Sequence, residues 1–306
     1  MMTLTAPITS EQQWQFEPPA IGGMVVGFDG SAASYSAIES AATIAVASRW
    51  TVHVVSVLPP MSSYKINLGV DEPRTEIEDL RIQLRDAAIR DAIGNEGNRA
   101  GWSRQVVIGN PAHEIARVAD ERAADLIVLG RSQRGAVDRF LGGDTTMQVM
   151  HCSSVPVLVL EDEMEKPSTV VAAIDFGSAS ARAASIGLEM LLGVGTLYLV
   201  YVEEPFAVFH DGTMMPQPKH YPGEIPVLFR RLLAQLRPPA GVGVETIILN
   251  GMPAPAIAEF CERVGADLLT VGTHGLPRVA RVLLGSVSRG LVRKVRTPIV
   301  IAPAKG

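Results

Sequence analysis

At 306 residues the chain is longer than one hydrophobic core usually grows, so two domains are expected, each with its own core. Hydrophobic residues make up 47% and charged residues 19% of the sequence, a globular profile that confines disorder to the ends. Lys and Arg number 27 against 32 Asp and Glu, a formal net charge of -5 with no long run of one sign, which excludes the basic stripe that a nucleic-acid platform needs.

In chain order, Met1 to Gly23 lacks the basic region and apolar stretch of a signal peptide, and residues 1–22 read as a flexible polar arm. No later run is long enough to span a bilayer. The next landmark is MVVGFDGSAAS, Met24 to Ser34, a short apolar run ending at Asp29, followed by the strand-like TVHVVSV from Thr51. GNPAHEIARVADERAADLIVLG then runs from Gly109 to Gly130, and Val155 to Leu160 closes the first half.

The second half repeats this order. VVAAIDFGSAS, Val170 to Ser180, matches the first segment with Asp175 opposite Asp29, and TLYLVYV from Thr196 matches the second. GMPAPAIAEFCERVGADLLTVG, Gly251 to Gly272, matches the third, and Gly109 with Gly251, Pro111 with Pro253, Asp125 with Asp267, Gly130 with Gly272, Gly143 with Gly285 and Pro156 with Pro298 keep one offset. Two copies of one domain are therefore expected, over residues 23–162 and 168–304.

Within the second copy, Val170–Ile174, Leu197–Val202, Val244–Leu249, Leu268–Val271 and Ile299–Ile301 read as strands. Ser178–Leu192, Ala254–Val264 and Ser286–Val295 read as helices. Strands apolar on both faces imply a parallel sheet with helices on each side, a doubly wound α/β domain of five strands per copy. Its ligand site lies beyond the carboxyl ends of the strands, at the switch point. Val155–Leu160 and Pro298–Ala302 are edge strands through which the copies could meet.

The fourth strand of the second copy ends at Gly272-Thr273-His274-Gly275, and nine residues later Gly285-Ser286 opens a helix. Glycines let backbone amides approach an anion, and a helix N-terminus supplies free N–H groups and a positive dipole end. Ser286 can add a hydroxyl donor and reads as the helix N-cap.

With this G-x2-G-x9-G-S pattern and Asp175, each half resembles a universal stress protein domain, and the resemblance covers the chain apart from its N-terminal arm. It implies ATP as ligand, with or without Mg2+, and a Rossmann-like fold whose two copies pair as a pseudo-dimer. Asp175 and Val202 are implied near adenine or ribose, Val271 beside the ribose, and Gly272, Gly275, Gly285, Ser286 and Val287 at the phosphates. The resemblance admits a homodimer of such chains and a protein partner whose identity the residues do not specify.

The first copy departs from the pattern. Asp29, Val57, Gly130 and Gly143 are retained equivalents, but Gln133 replaces the second glycine and Asp144 the hydroxyl residue. At ~4 Å and an effective dielectric near 20, a carboxylate and a phosphate charge repel by about 4 kcal/mol, and a third of that is about tenfold in affinity. Asp144 still suits an N-cap, so the helix start can survive without a ligand. A Mg2+ ion bridging Asp144 to a phosphate, with Thr145 and Thr146 nearby, is the route by which this copy could regain one. Nucleotide is expected mainly in the second copy.

Other candidates have plainer readings. His274 reads as solvated, and His113 and Glu114 as helix-start residues. His210 and His220 flank a Pro- and Met-rich stretch that reads as a lid or contact loop. Arg139 and Arg281 read as surface groups within reach of a terminal phosphate. Cys152 and Cys261 lie far apart without a C-x-x-C pattern, so neither a disulfide framework nor a zinc site is expected and a reducing cytoplasm fits. No residues form a recognisable catalytic constellation. The expectation is a cytoplasmic ATP-binding stress or signalling protein, with a slow ATPase or phosphoryl-transfer enzyme and a nucleotide-free scaffold as the rivals.

Overall fold

The computed structural model describes residues 22–48, 50–60, 74–94, 99, 101–131, 145–204, 206–210, 213–217, 223–273 and 285–304. Gln133, Gly143, Asp144, Arg139, His220, His274, Gly275 and Arg281 lie outside them.

The first repeat runs β1 (Gly23–Gly27), α1 (Ala32–Ser48), β2 (Thr51–Leu58), α2 (Arg74–Ile93), β3 (Ser103–Ile108), α3 (Pro111–Glu121), β4 (Leu126–Gly130), α4 (Thr145–Cys152) and β5 (Val157–Leu160). The second runs β6 (Thr169–Ile174), α5 (Ser178–Met190), β7 (Gly195–Glu203), α6 (Ile225–Leu236), β10 (Val242–Asn250), α7 (Pro253–Val264), β11 (Leu268–Gly272), α8 (Ser286–Lys294) and β12 (Ile299–Ala302). Between β7 and α6, the stretch expected to be a lid or loop contains an antiparallel hairpin of β8 (Phe206–His210) and β9 (Thr213–Gln217).

All the main strands form one ten-stranded sheet, ordered β10-β7-β6-β11-β12-β5-β4-β1-β2-β3. Each repeat is a five-stranded parallel half, and the halves join where β12 pairs antiparallel with β5, through Ile299 with Val159, Val300 with Leu158 and Ile301 with Val157. These are the edge strands singled out in the sequence. Their antiparallel pairing is what a local two-fold relation between equivalent strands requires.

The expectation of one core per repeat is corrected by this junction. There are two apolar clusters among the described residues, but each belongs to a face of the sheet and spans both repeats. One gathers Ile38, Ile89, Val170, Ile186 and Phe229 under α1, α2, α5 and α6. The other gathers Val25, Ile115, Val149, Phe260 and Leu291 under α3, α4, α7 and α8. Once β5 and β12 are hydrogen-bonded, each sheet face is continuous, so its apolar layer is continuous too.

The offset-matched landmarks have local explanations. The Asp267 Oδ2 accepts from the Ser168 amide and hydroxyl at 2.8 Å each and from the Thr169 amide at 2.9 Å, pinning the start of β6. The Asp125 Oδ2 does the same for Gly22 at 2.7 Å. Pro111 and Pro253 occupy the first helical turn, where a missing N–H costs no bond. The edge strand β10 is half exposed, as one-sided cover dictates.

Candidate functional site

In each half the strand order reverses beside the first strand: β6 lies between β7 and β11. The helix after β6 covers one face and the helix after β11 the other, which leaves a crevice at their carboxyl ends. Asp175 follows Ile174 of β6, Val202 is the penultimate residue of β7, and Val271 and Gly272 end β11. Register places Ala173 beside Val271 and Ile174 beside Tyr201, so these expected residues converge at one end of three adjacent strands.

Asp175 is exposed and holds a turn. Its Oδ1 accepts from the Gly177 amide at 2.9 Å and from the Ser180 hydroxyl at 2.6 Å, and the Ser180 hydroxyl also meets the Gly177 carbonyl at 3.0 Å. Oδ2 receives no hydrogen bond among the described residues. In the first repeat, Asp29 Oδ1 accepts from the Ser31 amide at 2.9 Å, and the Ser34 hydroxyl donates to the Ser31 carbonyl at 2.8 Å. Both aspartates therefore shape the entry to a helix, whatever else they do.

The residue after each aspartate is left-handed: Gly30 at φ 81 and Phe176 at φ 63. Glycine takes this conformation without strain, whereas a phenylalanine costs about 1–2 kcal/mol. The second repeat offsets that by packing the Phe176 ring 5.2 Å from Tyr201 and 5.1 Å from Phe229. Burial pushes the Tyr201 phenol up, and Glu203, Glu204 and Asp175 add to the rise. The β7 side of the crevice is thus acidic, suited to hydroxyl and amine donors.

The α8 side is opposite in character. Gly285 is the N-cap, extended at φ -60 and ψ 160, with no side-chain capping bond. Ser286, expected to be the N-cap, is the first residue of the helix, so its exposed hydroxyl is not used for capping. The first helical bond runs from the Arg289 amide to the Gly285 carbonyl at 3.0 Å. The amides of Ser286, Val287 and Ser288 therefore have no intrahelical acceptor, and none accepts them elsewhere among the described residues. By contrast, Asn110 caps α3 through the amides of Ala112 and His113.

Two residues that the sequence reading passed over fix this geometry. Ser288, 2% exposed, donates from its hydroxyl to the Gly272 carbonyl at 2.8 Å and fastens α8 to the end of β11. Ser180 and Ser34 each stand five residues after an aspartate, a spacing that helical periodicity alone does not single out. Gly272 has a packing reason to be glycine: a Cβ there would lie 2.5 Å from the Ala179 carbonyl carbon. At Gly130 it would lie 2.2 Å from the carbonyl carbon of Ala33. Both repeats need this glycine for the close crossing of helix and strand.

Arg131, directly after Gly130, turns away from its own repeat. Its guanidinium donates to the carbonyls of Val292 and Val295, the latter at 2.7 Å, and pairs with Glu161 at 2.6 Å. A first-repeat arginine thus caps the C-terminus of the helix whose N-terminus faces the second-repeat crevice. Of the remaining sequence candidates, Val57 lies near the end of β2 beside Val107, and Glu114 pairs with Arg117 at 2.7 Å. Cys152 is exposed and Cys261 buried, with no disulfide formed. No helix among the described residues is long and apolar enough to cross a membrane.

The universal stress protein family profile matches residues 23–161 and again 167–303. The universal stress protein Rv1996 of Mycobacterium tuberculosis is 26% identical over 303 residues, covering 92% of this chain and 94% of its own. Rv2005c of the same organism is 27% identical over 296 residues, covering 92% and 96%. A crystal structure of a universal stress protein from Archaeoglobus fulgidus superimposes with a TM-score of 0.68 at 20% identity, covering 92% of this chain and 96% of that one. With both halves of its sheet matched in turn, the chain belongs to the universal stress protein family as a two-domain member.

Proposed function

We propose that this protein is a cytoplasmic stress or signalling protein that binds ATP as a regulatory ligand, mainly in the second repeat. The observation that carries the reading is the start of α8, which no described residue caps: three amides and the Ser286 hydroxyl beside the end of β11. The residues present fit a nucleotide. The α8 dipole and amides suit a phosphate tail, the free Asp175 Oδ2 suits a ribose hydroxyl, and Val202 and Val271 give the apolar lining that a base needs. Bound ATP would supply a polyanion that neutralises the α8 end.

The chain's own residues then act as a frame. Ser288 holds α8 against Gly272, Asp175 and Ser180 hold the entry to α5, and Arg131 holds the far end of α8. Binding of this kind biases the protein toward whichever state presents these groups best, by its differential affinity for the two states.

Mass spectrometry of small molecules released on denaturing the purified protein tests the reading. An adenine nucleotide near one per chain is expected. No nucleotide, together with no heat signal on adding ATP, would replace it with the scaffold reading.

A further inference from the structure

One helix carries apolar residues on two opposite sides. α2 lies over the last strands of the sheet, beside the edge strand β3, and its inner side buries Ile89, Ala92 and Ile93. Half a turn away, the outward side carries Ile77, Leu80, Leu84 and Ala87. Leu80 is 54% and Leu84 64% exposed; Ala87 is exposed and Ile77 half-buried. Steps of three, four and three residues set these four in one line along the helix. Single exposed leucines are ordinary on a surface, but a line at this spacing is the pattern by which one helix packs on another. The counterpart in the second repeat, α6, lacks it: its exposed residues are Pro226, Val227, Arg230, Arg231 and Ala234, a side interrupted by two arginines.

The flank of this seam is self-complementary. Glu76, Gln83 and Arg90, all exposed, follow it along one side, each one heptad after the last. That side is acidic near the N-terminal end, neutral in the middle and basic near the C-terminal end. With a second copy laid antiparallel about a two-fold axis, Leu80 meets the other copy's Leu84, Ile77 its Ala87, Gln83 its Gln83 and Glu76 its Arg90. Glu76 takes part in none of the ion pairs among the described residues, and Arg90 shares Asp86 with Arg104, so both are available for a new pair. On the other flank, Arg81 donates to the Pro59 carbonyl at 3.0 Å and is held against its own protomer. A parallel pairing would set Ala87 against Ala87 and open a gap in the seam.

We propose that the outward seam of α2 is an interface between two copies of this chain, paired antiparallel through Leu80 and Leu84 and registered by Glu76 and Arg90. Because β5 and β12 already pair within the chain, association of two chains has to use another surface, and α2 supplies one at the far end of the sheet. A seam of four layers is a small contact, so the association is reversible rather than obligate.

Sedimentation velocity of the full chain tests it, over loading concentrations from about 1 μM to about 1 mM, the range in which a small contact forms. A monomer–dimer equilibrium is expected. Leu80→Gln combined with Leu84→Gln should weaken it at least about tenfold, and both side chains are exposed, so the fold does not depend on them. Glu76→Arg alone and Arg90→Glu alone should each weaken it about tenfold, because two pairs per dimer become repulsive. Mixed in equal amounts, those two charge variants should pair with one another as the unmodified chain pairs with itself, since each changed residue then faces its complement. No misfolded variant could recover in this way. A chain that stays monomeric at the top of the range, a dimer indifferent to the leucine exchanges, or charge variants that do not recover on mixing would overturn the proposal.

Discussion

Leu158 and Val300 face each other across the antiparallel junction of β5 and β12, and they are the same position in the two repeats. A local two-fold axis therefore passes between them, and both side chains, at 0% exposure, join the apolar layer shared by α1 and α5. Because each layer spans both repeats, the chain should unfold in one cooperative transition. Calorimetry should give a single peak that Leu158→Ala shifts down, at a cost of about 3 kcal/mol. Two separated peaks would mean that the repeats hold independent cores.

Gly130 and Gly272 make the same helix crossing, so Gly130→Ala and Gly272→Ala should destabilise alike, by about 1–3 kcal/mol each. Urea unfolding of the two variants checks this. A loss confined to Gly272→Ala would show that the crossing does not explain the glycine.

Arg131 and Glu161 form a mostly buried pair that also caps α8. Arg131→Met removes this ion pair from Glu161 and the C-terminal cap from α8. A destabilisation of about 3 kcal/mol is expected, with faster amide exchange along α8 than along α4. Uniform exchange in both helices would contradict the capping role.

Buried His53 and half-buried Glu189 set opposite pH limbs. Burial raises Glu189 to about 7, against a Ser185 hydrogen bond that lowers it. The folded state then holds its proton above the unfolded pKa, so stability is greatest below about 4.5 and falls as pH rises toward 7, by about 2 kcal/mol once the roughly 3 kcal/mol of the full shift is discounted for solvent screening at this partly exposed site. His53, lowered from 6.5 to about 4, makes the opposite contribution: stability falls as pH drops through that window. Melting temperatures from pH 4 to 8 should lose the alkaline fall in Glu189→Gln and the acid fall in His53→Gln. Unchanged profiles would show that neither side chain is buried as described.

The repeat, its strands and the meeting of Val155–Leu160 with Pro298–Ala302 were legible because parallel strands leave continuous apolar runs and duplicated landmarks keep their spacing. The sharing of each core between repeats was not, since nothing local in Leu158 or Val300 says which face it joins. Asp175, Val202, Val271 and Gly272 converge as their positions at strand ends suggested. Ser286 shifted by one place because Gly285 itself takes the extended N-cap conformation. The hairpin of Phe206–His210 and Thr213–Gln217 was hidden by its prolines and methionines. Arg131 reaches the other repeat through a contact that no short-range pattern encodes.

The central claim is that the open start of α8 holds a phosphate tail, and calorimetric titration of the full chain with ATP tests it most directly. One site per chain is predicted, weakened at least about tenfold by Ser286→Asp, which installs the first repeat's Asp144 chemistry, and kept by Ser286→Thr. Two equivalent sites, or an affinity indifferent to Ser286→Asp, would contradict it.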